Sequence, residues 1–170
     1  MPETNLTLSK GQQKVKPKIE DVIGERLEGD KQKNALDFIA FLRENKLSPG
    51  RMDIGSYAVK SKGKSVCNIY IQTDGRWMMR FRPSTLEKGF SDSDLLAFII
   101  DNIHHPETRC PSCPRITRNY AVALGKQLDN VCNCWPVRIY NPDGKTLEYC
   151  KKFVLSIKSV IADISTANKT

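Results

Sequence analysis

Cys110 and Cys113 stand in a C-x2-C spacing and Cys132 and Cys134 in a C-x-C spacing, with 18 residues between the pairs. Four thiolates arranged in this way suit a tetrahedral zinc ion. Each local pair brings two sulfurs to one metal at little entropic cost. Bringing the pairs together closes a loop, and metal binding offsets the entropy lost. Arg109, Arg115 and Arg118 lie close in sequence and could balance the negative charge of a zinc tetrathiolate, while His104 and His105 could stand in for one Cys. The expected cofactor is therefore a structural zinc held by Cys110, Cys113, Cys132 and Cys134.

The same residues allow a redox reading. Cys110-Pro111-Ser112-Cys113 has the spacing of a reactive dithiol, and neighbouring Arg would lower a thiol pKa. Such a dithiol normally opens a helix after a strand. With Cys110 as the N-cap, Pro114 would fall at the fourth helical position, where it removes the first intrahelical bond and pushes Cys113 away from helical geometry. Four reduced cysteines without metal are the third alternative. The C-x2-C half also resembles the knuckle of zinc ribbons, from which it departs in having Pro114 after the second Cys and a tighter C-x-C partner. Cys67 and Cys150 each fall on an apolar face and read as core.

No other catalytic constellation is present. The chain lacks Gly-x-Ser-x-Gly, a phosphate-binding Gly-x-x-x-x-Gly-Lys-Ser/Thr loop and Gly-x-Gly-x-x-Gly. Asp92 and Asp94 read as helix-start residues, and His104-His105 as a favourable charge at a helix C-terminus. Binding has more to work with. Tyr70, Trp77, Arg80 and Arg82 are candidate ligand residues for a small-molecule or anionic ligand, with Tyr70, Trp77, Met79 and Phe81 lining a pocket between sheet and helices. Nucleic acid is the less expected partner, because Trp77 and Phe81 alternate onto the strand face opposite Arg80 and Arg82. The alternative to all of these is that the aromatics are simply core.

The 170 residues carry 27 Lys or Arg against 19 Asp or Glu, a net charge of +8. Residues 104–170 hold ten of those bases against five acids, so the excess concentrates in the Cys-bearing third. Such a surface attracts phosphates or simply aids solubility. The longest apolar run, Leu95 to Ile100, is far short of the roughly 20 residues a membrane-spanning helix needs. The N-terminus shows no basic stretch followed by an apolar one, so a cytoplasmic location and reduced thiols are expected.

These residues must be positioned by an α+β framework. Residues 1–17 are polar and aperiodic and read as a flexible lead-in to one domain over 18–170. Ile19, Val22, Ile23 and Leu27 suggest a short helix opened by Pro17. Asp30 is placed to cap a stronger one over about 31–46. Strands follow at 53–60, 65–72 and 76–82, turned at Lys62-Gly63-Lys64 and Thr73-Asp74-Gly75. A helix capped by Ser91 runs to Ile103. Residues 104–135 read as irregular, with 121–128 ambiguous between helix and strand. Val137–Tyr140 forms a short strand, Asn141-Pro142-Asp143-Gly144 a turn, and Leu147, Cys150, Val154, Ile157, Ile161 and Ile164 the stripe of a final helix over 146–165.

The expected fold is thus a single antiparallel sheet of three or four strands, helices mainly on one face, and a Cys-bearing irregular excursion. The stretch Tyr57-Ala58-Val59-Lys60-Ser61-Lys62-Gly63-Lys64-Ser65-Val66-Cys67-Asn68-Ile69-Tyr70-Ile71 resembles the central hairpin of the YdhG-like small bacterial domains. Their pattern pairs a Tyr-bearing strand with a Lys-Gly-Lys turn and a Val-Cys-bearing strand. The resemblance implies an α+β fold flanked by helices in a bacterial protein and carries no activity with it; the segment 104–135 has no counterpart in it. The function expected is a non-enzymatic binding or accessory domain, with thiol redox or metal handling as the alternative.

Overall fold

A computed structural model of the chain describes residues 17–81, 92–103, 118–122, 126–132 and 136–167. Five strands form one antiparallel sheet: β1 (Pro49–Asp53), β2 (Ser56–Ser61), β3 (Lys64–Ile71), β4 (Trp77–Phe81) and β7 (Val137–Tyr140), in the spatial order β1-β2-β3-β4-β7. Four helices accompany it: α1 (Ile19–Arg26), α2 (Gly29–Glu44), α3 (Ser93–Asp101) and α4 (Gly144–Ala167). The α+β class matches the expectation, whereas the strand count is five rather than three or four.

The miscount has a local cause. The stretch read as one strand over 53–60 is two, because Ile54-Gly55 turns the chain between β1 and β2. Gly55 has φ +77°, and an added Cβ there would collide with the Ile71 carbonyl oxygen and Arg26 Nη1. Only glycine suits both the backbone and the close approach. The next hairpin closes in two residues, Lys62 and Gly63, both at positive φ, the twist-matching geometry of tight hairpins. The fifth strand, β1, begins at Pro49 inside the Ser48-Pro49-Gly50 segment expected only to end α2.

Helix ends also shift. Asp30 lies in the first turn of α2, whose N-cap is Glu28. The cap of α3 is Asp92, not Ser91, which lies outside the described residues. The Asp92 carboxylate accepts from the amides of Asp94 and Leu95 at 3.0 Å each, an arrangement that contributes about 1 kcal/mol. Helix α3 ends at Asp101, and Ile103 instead bridges to Val137 at the sheet edge. The excursion is not wholly irregular: β5 (Arg118–Val122) and β6 (Lys126–Val131) pair as an antiparallel hairpin. That resolves the ambiguity over 121–128 in favour of strand, outside 123–125, which are not among the described residues.

The core fills one face of the sheet. Tyr57, Val59, Cys67, Ile69, Ile71, Trp77, Met79, Phe81, Val137 and Ile139 alternate onto that face, and each is essentially inaccessible. Against them pack Ile23, Phe38, Ile39 and Leu42 of the first two helices, Leu96 and Ile99 of α3, and Leu147, Cys150, Phe153 and Val154 of α4. Phe81 and Phe153 meet at 4.4 Å between ring centroids, and Trp77 lies 6.2 Å from Phe38. No helix among the described residues is long and apolar enough to cross a membrane.

Cys67 and Cys150 sit in this core, as their apolar positions predicted. Burial pushes both thiols well above the usual cysteine range. The unfolded chain ionises these thiols near pH 8.5 while the folded chain keeps them neutral. Below that pH their contribution is intact, and above it stability should fall by about 1.4 kcal/mol per pH unit for each thiol. Urea unfolding between pH 7 and 10 should show this decline, shrinking when both residues are replaced by Ala. A flat profile would contradict it.

Candidate functional site

The core side chains of the described helices meet one face of the sheet; on the other, Asn68 and Met78 are buried at 6% and 4% exposure. Strand alternation and register define what stands there. One cross-strand row runs Ser56, Tyr70, Met78 and Tyr140 over β2, β3, β4 and β7. The next runs Ala58, Asn68, Arg80 and Arg138. Aromatic and basic residues therefore occupy adjacent rows of one face.

At its centre the Arg80 guanidinium lies over the Tyr70 ring, 4.6 Å from the centroid. Asn68 Nδ2 donates to the Tyr70 hydroxyl at 3.3 Å and approaches the Met52 sulfur of β1 at 3.9 Å. Asn68 is 6% exposed, the one buried polar residue among the described residues, and it fixes the ring that carries Arg80. Arg80 Nε is buried with no hydrogen-bond partner, and no carboxylate forms an ion pair with this side chain among the described residues. A guanidinium stacked on a ring and left without an acid keeps its charge for an incoming anion.

The periphery adds to this. Tyr140 is 51% exposed. Arg138 Nη2 donates to Cys132 Sγ at 3.5 Å, tying the buried Cys132 at the end of β6 to the same strand that carries Tyr140. Beyond Tyr70 an open cleft of about 380 Å³ is lined by Arg26, Ile54, Ser56, Thr73, Arg76 and neighbouring backbone. Arg26 Nη1 is held by the Ile71 carbonyl at 3.0 Å. Arg76 pairs with Asp74 at 2.6 Å, which holds the Asp74 carboxyl below the usual carboxylate range. Both are solvent-exposed, so the pair is labile to a competing anion.

The five strands carry Arg51, Lys60, Lys64, Arg80 and Arg138 against Asp53 alone. In contrast α3 carries Asp94 and Asp101 with no base, and α1 carries Glu20, Asp21 and Glu25 against Arg26. Bases and acids balance in α2, and α4 carries Lys145, Lys151, Lys152 and Lys158 against Glu148 and Asp163, so the basic excess is shared by the sheet and α4.

The residues singled out from sequence separate cleanly. Tyr70 and Arg80 come together. Trp77 does not join them: it is 1% exposed, on the opposite face, among core side chains. The expected pocket between sheet and helices is accordingly packed core, and Tyr70 was assigned to the wrong side of it. Arg82 lies outside the described residues. So do Cys110, Cys113 and Cys134, together with His104, His105, Arg109 and Arg115, which leaves Cys132 as the single described member of the cysteine cluster. Among the described residues no three His, Cys, Asp or Glu come together as a metal site. Sequence reasoning missed Asn68, Arg138 and Tyr140. Alternation within Val137–Tyr140, with Val137 and Ile139 apolar, was the signal that would have placed Arg138 and Tyr140 on one face.

Comparison with family models, curated proteins and solved structures finds no match for this chain.

Proposed function

We propose that the protein is a non-enzymatic binding domain whose sheet face opposite the core takes an anionic ligand bearing a planar group, with a structural zinc on Cys110, Cys113, Cys132 and Cys134 bracing the segment before β7. The observation that carries the reading is the Arg80 guanidinium set over Tyr70, with no carboxylate paired to it among the described residues. A planar group can continue the stack while its negative charge meets Arg80 and Arg138.

The Arg138–Cys132 contact fits the zinc reading. A guanidinium donating to a cysteine sulfur favours the thiolate, the form that ligates zinc, and such outer contacts orient metal ligands. The ion would offset half of the thiolate charge, leave the rest to nearby guanidiniums such as Arg138, and hold the segment before β7 in place. A bacterial, cytoplasmic accessory role goes with this reading.

A nucleoside monophosphate is a suitable probe, since it joins a planar ring to an anion. Titration should show saturable binding, weakened about tenfold or more by Arg80→Ala, the loss of one charge-assisted contact of about 1.5–3 kcal/mol. Binding that is absent, or indifferent to Arg80, would contradict the reading.

A further inference from the structure

We infer that the physiological occupant of the sheet face is a single-stranded nucleic acid, its bases stacked on Arg80 and Tyr140 and its phosphates set against Arg76, Arg80 and Arg138; this rests on the binding face proposed above.

The footprint is the first argument. Tyr70 and Tyr140 stand two strands apart in one cross-strand row, which is about 10 Å at a strand spacing of about 4.8 Å. Met52 on β1 extends the apolar part of the face two strands further and is 51% exposed. One nucleotide covers one stacking position. A surface that offers two, with Met78 between them in the row and Arg80 and Arg138 in the next, fits a chain of nucleotides crossing the strands.

The chemistry of each position is the second. The Tyr70 ring is already covered on one side by Arg80, and a guanidinium is itself a plane on which a base can stack as on an aromatic ring. Tyr140 offers its own exposed ring. Stacking tolerates any base, so the face binds single strands with little sequence preference.

Charge and shape complete the case. The strands hold a basic excess, and Asp74, the acid lining the cleft among the described residues, is already paired with Arg76. A sheet face reaches bases only when they are splayed out, as they are in a single strand, because the bases of a duplex stay stacked inside it. The aromatics of β4, Trp77 and Phe81, face away from Arg80 into the core. The neighbouring strands β3 and β7 supply Tyr70 and Tyr140 to the face of Arg80.

The test is fluorescence anisotropy with the full chain and a labelled eight-nucleotide single strand, compared with a nucleoside monophosphate and a duplex of equal length. The single strand should bind at least tenfold tighter than either. Its affinity should fall about 20-fold between 50 and 200 mM salt, as expected for about three neutralised phosphates. Tyr140→Ala and Arg80→Ala should each weaken it by about 5- to 100-fold with circular dichroism unchanged. A single strand that binds no tighter than the monophosphate overturns this inference and leaves the binding face standing. Failure of both probes overturns both, and equal affinity for the duplex overturns the single-strand assignment.

Discussion

Replacing Trp77 by Ala is expected to remove about 3–5 kcal/mol of stability, the cost of truncating a large aromatic in a packed core. Trp77 begins β4, is 1% exposed and packs beside Phe38 of α2. Its backbone is doubly tied to the residue after β7: its amide donates to Asn141 Oδ1, and its carbonyl accepts from the Asn141 amide, both at 2.9 Å. The backbone ties survive the substitution, and the void beneath the helices does not close. Domains of this size are stable by only about 5–15 kcal/mol, so the variant should unfold at much lower urea. Tyr70→Ala, one strand away on the other face, should cost about 1 kcal/mol or less while reducing ligand binding. Urea titrations followed by circular dichroism separate the two. Similar losses for both would contradict the division of the sheet into a core face and a binding face.

Removing zinc is the second large effect. The proposed tetrathiolate site predicts one zinc per chain by elemental analysis. Metal-binding energy in such sites is folding energy, so stripping the ion should lower Tm by roughly 10 °C or more, and Cys132→Ser should reproduce much of that loss. Binding of the anionic probe should weaken as well, because Arg138 rests on Cys132. A metal-free protein in which Cys110, Cys113, Cys132 and Cys134 titrate freely would contradict the site. A reversible Cys110–Cys113 disulfide with a thiol pKa well below about 8.5 would favour the redox alternative.

The helices and most strands were legible because their signals are periodic and local. The stripe from Leu147 to Ile161 is buried as its spacing predicts, and the alternation in β4 sorted Trp77, Met79 and Phe81 from Met78 and Arg80 by face, although Met78 is buried too, at 4% exposure. The break at Ile54-Gly55 carries no Asn-Gly or Asp-Gly pair that would mark a tight hairpin turn. The close approach of the Ile71 carbonyl, which demands glycine there, is a tertiary fact. The binding face was half legible for a related reason. Which residues share a face within a strand can be read from alternation, but which strands lie side by side cannot. Pairing of β4 with β7 joins Arg80 to Arg138 and Met78 to Tyr140 across 60 or so residues of chain, and no local pattern encodes it. Asn68 was passed over because one polar residue in an apolar strand gives no hint of the ring it orients.

The central claim, that the sheet face opposite the core binds the ligand, is tested most directly by a heteronuclear NMR titration of the full chain with the eight-nucleotide strand. The largest shifts are expected at the amides of Asn68, Tyr70, Arg80, Arg138 and Tyr140, with α1 and α2 unchanged. Shifts confined to the helices, or none on β3, β4 and β7 at saturating ligand, would contradict it.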